Sequence, residues 1–565
     1  MTAAEAEIIQ RGMRWRPLHG VALLLPIYLL FQGLTAFGLL NNVEGMYAEI
    51  AREMLTSGDW HTWIIPHLNG VPYIEKPPLL YWTEALSMAL FGINDFAVRL
   101  VPALSAVASM GTVLWYGQRV HGPRFGVLAA FVLGTSVGFV FLSKVAMTDP
   151  LLSACLNAAV LVSHVAWLEQ RPTLLRWAYG YLALAVLTKG FVALALFVGI
   201  WGSYGLCCAQ RDIPALLRFL LAPGAWAVFL LVAGPWHLAA ALSLKEFSWF
   251  YFINEHVLRF LGLREPKDYY SGSPLYYLPR LVLMFFPWFL VLLMPLVQRR
   301  PLSGGPVAVR SFLWMAVLLP LVFFSASAAK ANYYVIVCLP ALALLAALKL
   351  EHQLIKQDTP WLMTMVTLTG MVAWGLLLLR IWAERQGIEL SWLPLTRDDR
   401  FWLSAAFVLL TTVGTLFAAN RRHVGAVLLL GAVMVPIGLY VSIGAGRVEE
   451  RISARLMAER IAADYPGEPL YLYQDYEDYS ALPFYLQRGN LPVADQQSAD
   501  LAFGLRLGRD PEQFPSLESF AAQQKPVLLL ILDARVRAGL PPPLEGRLER
   551  LTRVGNATLY RVLPK

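Results

Sequence analysis

The sequence predicts an α-helical polytopic membrane protein that ends in a small α/β domain. Three features predict it. Of 565 residues, 57% are hydrophobic and only 15% are charged, where a soluble chain carries about 25% charge. Apolar runs long enough to cross a hydrocarbon core about 30 Å thick recur along most of the chain. After Ala445 the composition turns abruptly polar and strand-forming.

Taken in order, the apolar runs fall near 18–40, 98–117, 125–143, 149–168, 174–188, 189–208 and 215–236, then 275–298, 311–326, 333–349, 361–380, 401–418 and 424–443. With roughly 20 residues needed per crossing, they make about thirteen spans. The run 18–40 has no small-residue cleavage site after it and reads as a retained helix, not a signal peptide. Three connecting segments are long: 41–97, 237–275 and 381–400. The first holds "EGMYAEIAREMLTSG" and "LLYWTEALSMALFG", amphipathic helices too polar or too short to span, which predicts helices lying at the interface on the bundle. Within them Glu49 and Glu53 read as a solvated face. Beyond 445, "GRVEERISARLMAERIAADYPGEPLYLY" reads as a charged helix, a turn and a strand. "KPVLLLILDA" reads as a buried strand and "LTRVGNATLYRVL" as a terminal hairpin. The division expected is a membrane domain over 1–444 and an α/β domain over 445–565.

Arginine and lysine placement sets the orientation. With Arg11, Arg14 and Arg16 inside, each alternate loop is basic. These loops carry Arg119 and Arg124, Arg171 and Arg176, Arg211 and Arg218, Arg299, Arg300 and Arg310, Lys349 and Lys356, and Arg421 and Arg422. The three long segments and the C-terminal domain then share the outer face. The net charge of +8 is spread over these short pairs, with no basic face interleaved with aromatics, which argues against a nucleic-acid partner. Cys155, Cys207, Cys208 and Cys338 lie in apolar runs without metal-ligand spacing and read as buried small hydrophobes.

Ionisable residues in a membrane chain are costly and mark function. Glu44, Glu75–Lys76, Asp149, Lys189, the "FINEHVLRF" group Glu255, His256 and Arg259, and Lys330 with Tyr333 and Tyr334 all fall on the outer face by this topology. Asp149 alone suits a helix start, and Lys189 alone suits a snorkelling amine. Their convergence carries the inference. Lysines and arginines neutralise phosphate, and a carboxylate can act as a base or hold a metal. No glycine-rich nucleotide loop is present in the sequence, so no nucleotide cofactor is expected and a lipid phosphate is the fitting donor. In "GVPYIEKPPLL", Pro72, Pro77 and Pro78 hold Glu75 and Lys76 rigidly without a helix, and Tyr73 flanks them.

The ordered stretches "NNVEGMYAEIAREMLTSGDW", "IPHLNGVPYIEKPPLLYW", "FGINDFAVRL", "AMTDP", "LTKGF", "FINEHVLRF", "YYLP" and "AKANYYV" cover roughly the first 350 residues. They resemble the aminoarabinose transferases of the GT-C fold, relatives of the protein O-mannosyltransferases. The resemblance implies a GT-C fold and an integral inner-membrane glycosyltransferase. Such an enzyme moves an aminoarabinose-like pentosyl, or a hexosyl, group from a polyprenyl (undecaprenyl) phosphate donor to lipid A or a related acceptor, with periplasmic chemistry. Residue by residue it implies Asp149 as the principal acid and Lys76 and Lys189 at the donor phosphate. It makes Tyr47 and Tyr334 substrate contacts, and it makes Glu75 and His256 ligands of a divalent, zinc-like metal. Arg259 and Lys330 join the phosphate set, and Tyr73 and Tyr333 the substrate set, by their place on the same face. The first motif departs from the family's Asp-Glu-x-x-Tyr: Val43 and Met46 stand where an aspartate and an arginine are usual. Glu44 is therefore the expected second acid.

Alternatives are a protein or polysaccharide acceptor and, from another class, a flippase of lipid-linked sugar. A flippase should show repeated halves with broken helices and charges at mid-membrane; here the charges gather at helix ends on one side. A monomer in the bacterial inner membrane is expected, with its active site and C-terminal domain periplasmic.

Overall fold

The computed structural model describes residues 16–208, 212–267, 270–297, 307–386 and 396–564. Arg11, Arg14, Arg211, Arg299, Arg300 and residues 387–395 of the third outer segment lie outside them. The fold is predominantly helical. Among the described residues eight helices are long and apolar enough to cross a membrane, and Gly20–Phe31, Leu79–Phe91, Pro123–Gly134 and Val192–Cys208 are shorter apolar helices. The difference from thirteen runs has local causes. The run 125–143 breaks into Pro123–Gly134 and Val137–Leu142, and the run 275–298 into Tyr277–Met284 and Phe289–Val297 around Pro287, whose ring cannot continue a helix.

Burial separates the centre from the rim. Thr148–Glu169 and Asn332–Lys356 have 83% and 89% of their apolar windows buried, against 17% for Ile213–Ser243 and 22% for Arg397–Ala419. The first two form the axis; the other two present apolar surface outward, as a lipid-facing helix must. Thr148–Glu169 packs on both Asp95–Val120 and Pro172–Lys189. Between Asp95–Val120 and Pro123–Gly134 the backbones nearly touch: a Cβ on Gly117 would lie 2.6 Å from the Gly126 Cα. Buried cysteines are Cys155 and Cys338; Cys207 and Cys208, at the end of their helix, are exposed, contrary to expectation.

The first outer segment folds as the Glu44–Thr56 helix, a turn at Trp60–Trp63, a two-residue-strand hairpin pairing His67–Leu68 with Val71–Pro72, and the Leu79–Phe91 helix. Asn69 and Gly70 take φ of 51° and 77°, the doubly left-handed turn that Asn-Gly favours in hairpins. Beyond the Met434–Arg447 helix, two short helices lead into a five-stranded sheet. Its spatial order is Val493–Ala494, Leu470–Tyr473, Val527–Leu532, Ala557–Val562, Leu548–Val554; the first three strands run parallel and the last two pair antiparallel.

This sheet domain sits on the first outer segment along its length. Asn42 donates to the Glu477 carbonyl at 3.1 Å, Asn69 Nδ2 to the Leu491 carbonyl at 2.9 Å, and Gln513 Nε2 to the Asn69 carbonyl at 2.7 Å. Arg455 pairs with Asp95 at 3.0 Å and Phe503 stacks on Phe250 with centroids 3.7 Å apart. The Glu49–Glu53 face is therefore not solvated. Glu49, Arg52 and Glu53 are buried beneath the C-terminal domain, with Arg52 forked onto Glu49 at 2.7 Å through both contacts. Burial first, then the neighbouring Glu49 charge, pushes the Glu53 carboxyl well above the usual range.

Candidate active site

The Pro-bracketed turn delivers Glu75 and Lys76 into a buried charge network completed by the 249–264 segment. Trp249–Leu258 is a π-helical stretch that puts Glu255 and Arg259 on the face toward the turn. Arg264 pairs with Glu75 at 2.6 Å and also with Glu255. Arg259 reaches Glu255 at 3.0 Å, and Lys76 lies 3.5 Å from Glu255 and 3.8 Å from Glu75. Burial alone would raise the Glu255 carboxyl, but Lys76, Arg259 and Arg264 together bring it down to about 2. In these contacts Lys76, Arg259 and Arg264 gather around Glu75 and Glu255.

Beside it, Asp149 in the first turn of Thr148–Glu169 meets Lys189, the last residue of Pro172–Lys189. Lys189 Nζ is 2.6 Å from both carboxylate oxygens. Each charge has the sign its helix end favours. The amine lies 4.6 Å from the Tyr334 ring centroid and 5.3 Å from that of Tyr333. Tyr47 belongs here too: burial first, then Tyr81, Tyr333 and Asp149, raises its hydroxyl well above its ordinary value. Tyr73 is buried and its hydroxyl donates to Glu75 at 3.5 Å.

The ionisable Glu75, Lys76, Lys189, Glu255, His256 and Arg259 line a cavity of about 410 Å³ together with the apolar Phe191, Val192, Phe260, Phe323 and Phe324. Charged and apolar walls in one cavity suit an amphiphile with an anionic end.

Two expected site residues do other work. Glu44 is fully buried. It accepts from Arg99 Nε at 2.9 Å and Nη2 at 2.6 Å, from the Leu40 N–H at 2.9 Å and from the Ala146 N–H at 2.9 Å. A carboxylate so filled cannot also take a proton from an acceptor; it anchors the segment that presents Asp149, three residues past Ala146. Lys330 spends its three protons on the carbonyls of Phe324, Ser325 and Ser327 at 2.9, 2.7 and 2.6 Å, tying off the end of Val307–Ala326. None is left for phosphate, and the orphan carbonyls of a helix end explain why.

The proposed metal ligands do not fit a metal. His256 Nε2 accepts from the Phe191 N–H at 2.9 Å and Nδ1–H donates to the Tyr251 carbonyl at 2.6 Å, so both ring nitrogens are engaged. Glu75 faces Arg264 rather than a cation vacancy, and among the described residues no group of three or more His, Cys, Asp or Glu could hold an ion. The site admits the imidazole only because residue 190 is glycine. Gly190 takes φ +81°, and a Cβ there would stand 2.2 Å from His256 Nε2. Arg264 and Arg99 were not legible as site residues: Arg264 opens the charged run Arg264-Glu265-Pro266-Lys267-Asp268, which reads as a polar loop, and only Arg99, inside an apolar run, carried the signal of rarity.

A family model described as dolichyl-phosphate-mannose-protein mannosyltransferase matches residues 75–252. An undecaprenyl phosphate-alpha-4-amino-4-deoxy-L-arabinose arabinosyl transferase from Pectobacterium carotovorum subsp. carotovorum (strain PC1) is 36% identical over 315 residues, 54% of this chain and 54% of the relative. One of the same description from Enterobacter sp. (strain 638) is 29% identical over 430 residues, 72% of each. The chain thus spans about half the length of the first of the curated relatives it matches. Crystal structures of ArnT from Cupriavidus metallidurans superpose over nearly the whole chain. The form bound to undecaprenyl phosphate has a TM-score of 0.81 at 24% identity, covering 97% of this chain and 98% of that one. The apo form has a TM-score of 0.80 at 25% identity, covering 97% of each.

Proposed function

We infer, from the premise that this chain is an aminoarabinose transferase-like member of the GT-C superfamily, that it is a glycosyltransferase. In this reading it moves a sugar from a polyprenyl phosphate to a membrane-anchored acceptor such as lipid A. The observation that carries the reading is one cavity lined both by Lys76, Lys189 and Arg259 and by a set of phenylalanines. Lys76 and Arg259 take the phosphate, and the phenylalanine-lined part takes the first isoprene units. Transfer breaks the bond between the anomeric carbon and the phosphate oxygen, and the bonding pair leaves with the polyprenyl phosphate. The cationic groups of Lys76 and Arg259 stabilise that leaving group where charge develops. Tyr47, Tyr73, Tyr333 and Tyr334 wall the sugar, and Asp149, held by Lys189, orients it. An acceptor phosphate brings its own ionised oxygen and needs no base; a hydroxyl acceptor would give its proton to Asp149.

Purified protein in nanodiscs, supplied with undecaprenyl-phosphate-linked aminoarabinose and a phosphorylated lipid A, should yield the glycosylated lipid by mass spectrometry. Lys76→Ala and Arg259→Ala should each raise the donor KM by about thirtyfold or more, the effect of losing one charge-assisted contact worth 2–5 kcal/mol in a dry site. Unchanged donor KM in the double variant rejects the placement.

The orientation belongs to the same proposal: about thirteen spans by the length rule, a cytoplasmic N-terminus, a membrane domain to 444, and periplasmic chemistry beneath a periplasmic C-terminal domain in the inner membrane. Cys207 and Cys208, exposed at the end of their helix away from Lys189, should resist a membrane-impermeant maleimide in intact spheroplasts. A cysteine placed at exposed Ser516 should react. Equal labelling at both places overturns the topology.

A further inference from the structure

Outside the donor cavity one guanidinium is preorganised for an anion that the structure does not supply. Arg280, on the Tyr277–Met284 helix, lies face-on to the Tyr276 ring with its central carbon 3.3 Å from the centroid. Its Nε donates to Asn332 Oδ1 at 2.6 Å and its Nη1 to the Tyr276 carbonyl at 2.7 Å. The Tyr276 hydroxyl donates to the same Asn332 oxygen at 2.5 Å, which fixes the stack from both ends. Among the described residues Nη2 has no partner.

Three facts give this fork a direction. Asn332 begins the turn that carries Tyr333 and Tyr334, whose rings lie under Lys189, so Arg280 is one residue removed from the wall of the transfer site. The same segment carries exposed apolar side chains: Leu275 is 72% exposed, Leu283, one turn beyond Arg280, 53%, and Tyr270, whose ring meets that of Tyr276, 65%. An arginine on a helix with exposed apolar side chains at a membrane boundary meets lipid headgroups rather than bulk solute. Finally, no carboxylate contacts Arg280 among the described residues, whereas the donor-side arginines Arg259 and Arg264 are both salt-bridged.

We propose that Arg280, held by Tyr276 and Asn332, grips a phosphate of the membrane-anchored acceptor and sets its position opposite the donor. A planar guanidinium with a free edge matches phosphate oxygens in a way an ammonium does not. The proposal rests on the glycosyltransferase reading above and adds the acceptor's side of the site. Arg280 is a binding and positioning residue here; the bond-making groups remain on the acceptor and the donor.

The test uses full-length protein in nanodiscs, with the parent, R280A and R280K each assayed against a diphosphorylated lipid A and against its dephosphorylated counterpart. The expected result is an acceptor KM about tenfold higher in R280A, with donor KM and melting temperature held and only partial recovery in R280K, as loss of one bidentate contact predicts. Direct binding of the two lipids, read by native mass spectrometry without donor, should show the same preference for phosphate in the parent and its loss in R280A. Inorganic phosphate at millimolar concentration should compete weakly, because the exposed apolar side chains favour a lipid-borne anion. An acceptor KM unchanged in R280A overturns the proposal, as does inorganic phosphate binding tighter than the lipid. A parent that binds the phosphorylated lipid yet transfers nothing to it refutes the glycosyltransferase reading while leaving Arg280's anion site intact. If R280A instead loses its melting transition, R280K and N332A, which leave the stack or the charge in place, carry the comparison. Normal acceptor KM in both then overturns the proposal.

Discussion

Asp149→Asn should lower sugar transfer by about three orders of magnitude, the scale of losing an electrostatic contact made chiefly in the transition state. The substitution keeps the shape of the side chain and removes its charge. Two consequences have to be separated. Asp149 holds Lys189 at 2.6 Å through both oxygens, so the neutral variant leaves a buried ammonium without its partner, which costs about 3–5 kcal/mol when such a pair is broken. The double variant Asp149→Asn with Lys189→Met removes both charges and should regain most of the lost melting temperature. It should not regain activity. A double variant as active as the parent, or an Asp149→Asn enzyme retaining more than about a tenth of parental kcat in a transition-state contact of this kind, shows that the pair is structural and that the sugar is oriented elsewhere.

Arg99→Ala should be the most damaging single change to stability, on the order of 3–5 kcal/mol. Arg99 is 1% exposed and Glu44 0%. Besides its two contacts to Glu44, the guanidinium donates to the carbonyls of Leu34, Phe37 and Gly38 at 2.8, 2.7 and 2.9 Å. Removing it strands a buried carboxylate and three carbonyls together. Glu44→Gln is milder because Arg99 keeps its three carbonyls, although the single amide oxygen can accept from only one of Leu40 and Ala146, whose N–H groups meet different carboxylate oxygens. It should lower kcat modestly by loosening the segment before Asp149, and it should leave the pH–rate profile unmoved. Val43→Asp should not rescue it. Loss of the low-pH limb of the rate profile in Glu44→Gln, measured on a variant with normal melting, makes Glu44 a proton acceptor after all.

Charge in an apolar chain marks where a site gathers without fixing what each charge faces. That Asp149, Lys189, Glu75, Lys76 and Arg259 would converge was legible, because ionised groups survive at a membrane only where partners or substrates await them. The hairpin at Asn69–Gly70 and the apolar strand Val527–Leu532 were legible from local chemistry alone. Which charges face substrate and which face one another was not. Glu44, Lys330 and Asp149 look alike in sequence, each an ionised residue beside a helix end. Their fates diverge through partners far along the chain, at Arg99 for Glu44, and through carbonyl geometry for Lys330. The burial of Glu49 and Glu53 was likewise hidden, since the covering surface comes from more than four hundred positions later, as the Gly38–Glu449 and Asn69–Leu491 contacts show with separations of 411 and 422.

Composition and periodicity by themselves determined the membrane class, the helical bundle, the gathering of ionised groups and the polar tail, because these follow from solvent preference residue by residue. Only the tertiary structure decided that His256 is consumed by the Phe191 amide and the Tyr251 carbonyl, that Arg264 joins Glu75 to Glu255, and that the C-terminal domain clasps the first long connecting segment. Those outcomes depend on which of many possible partners arrives within about 3 Å, the reach of a hydrogen bond, and such proximity is a property of the folded chain.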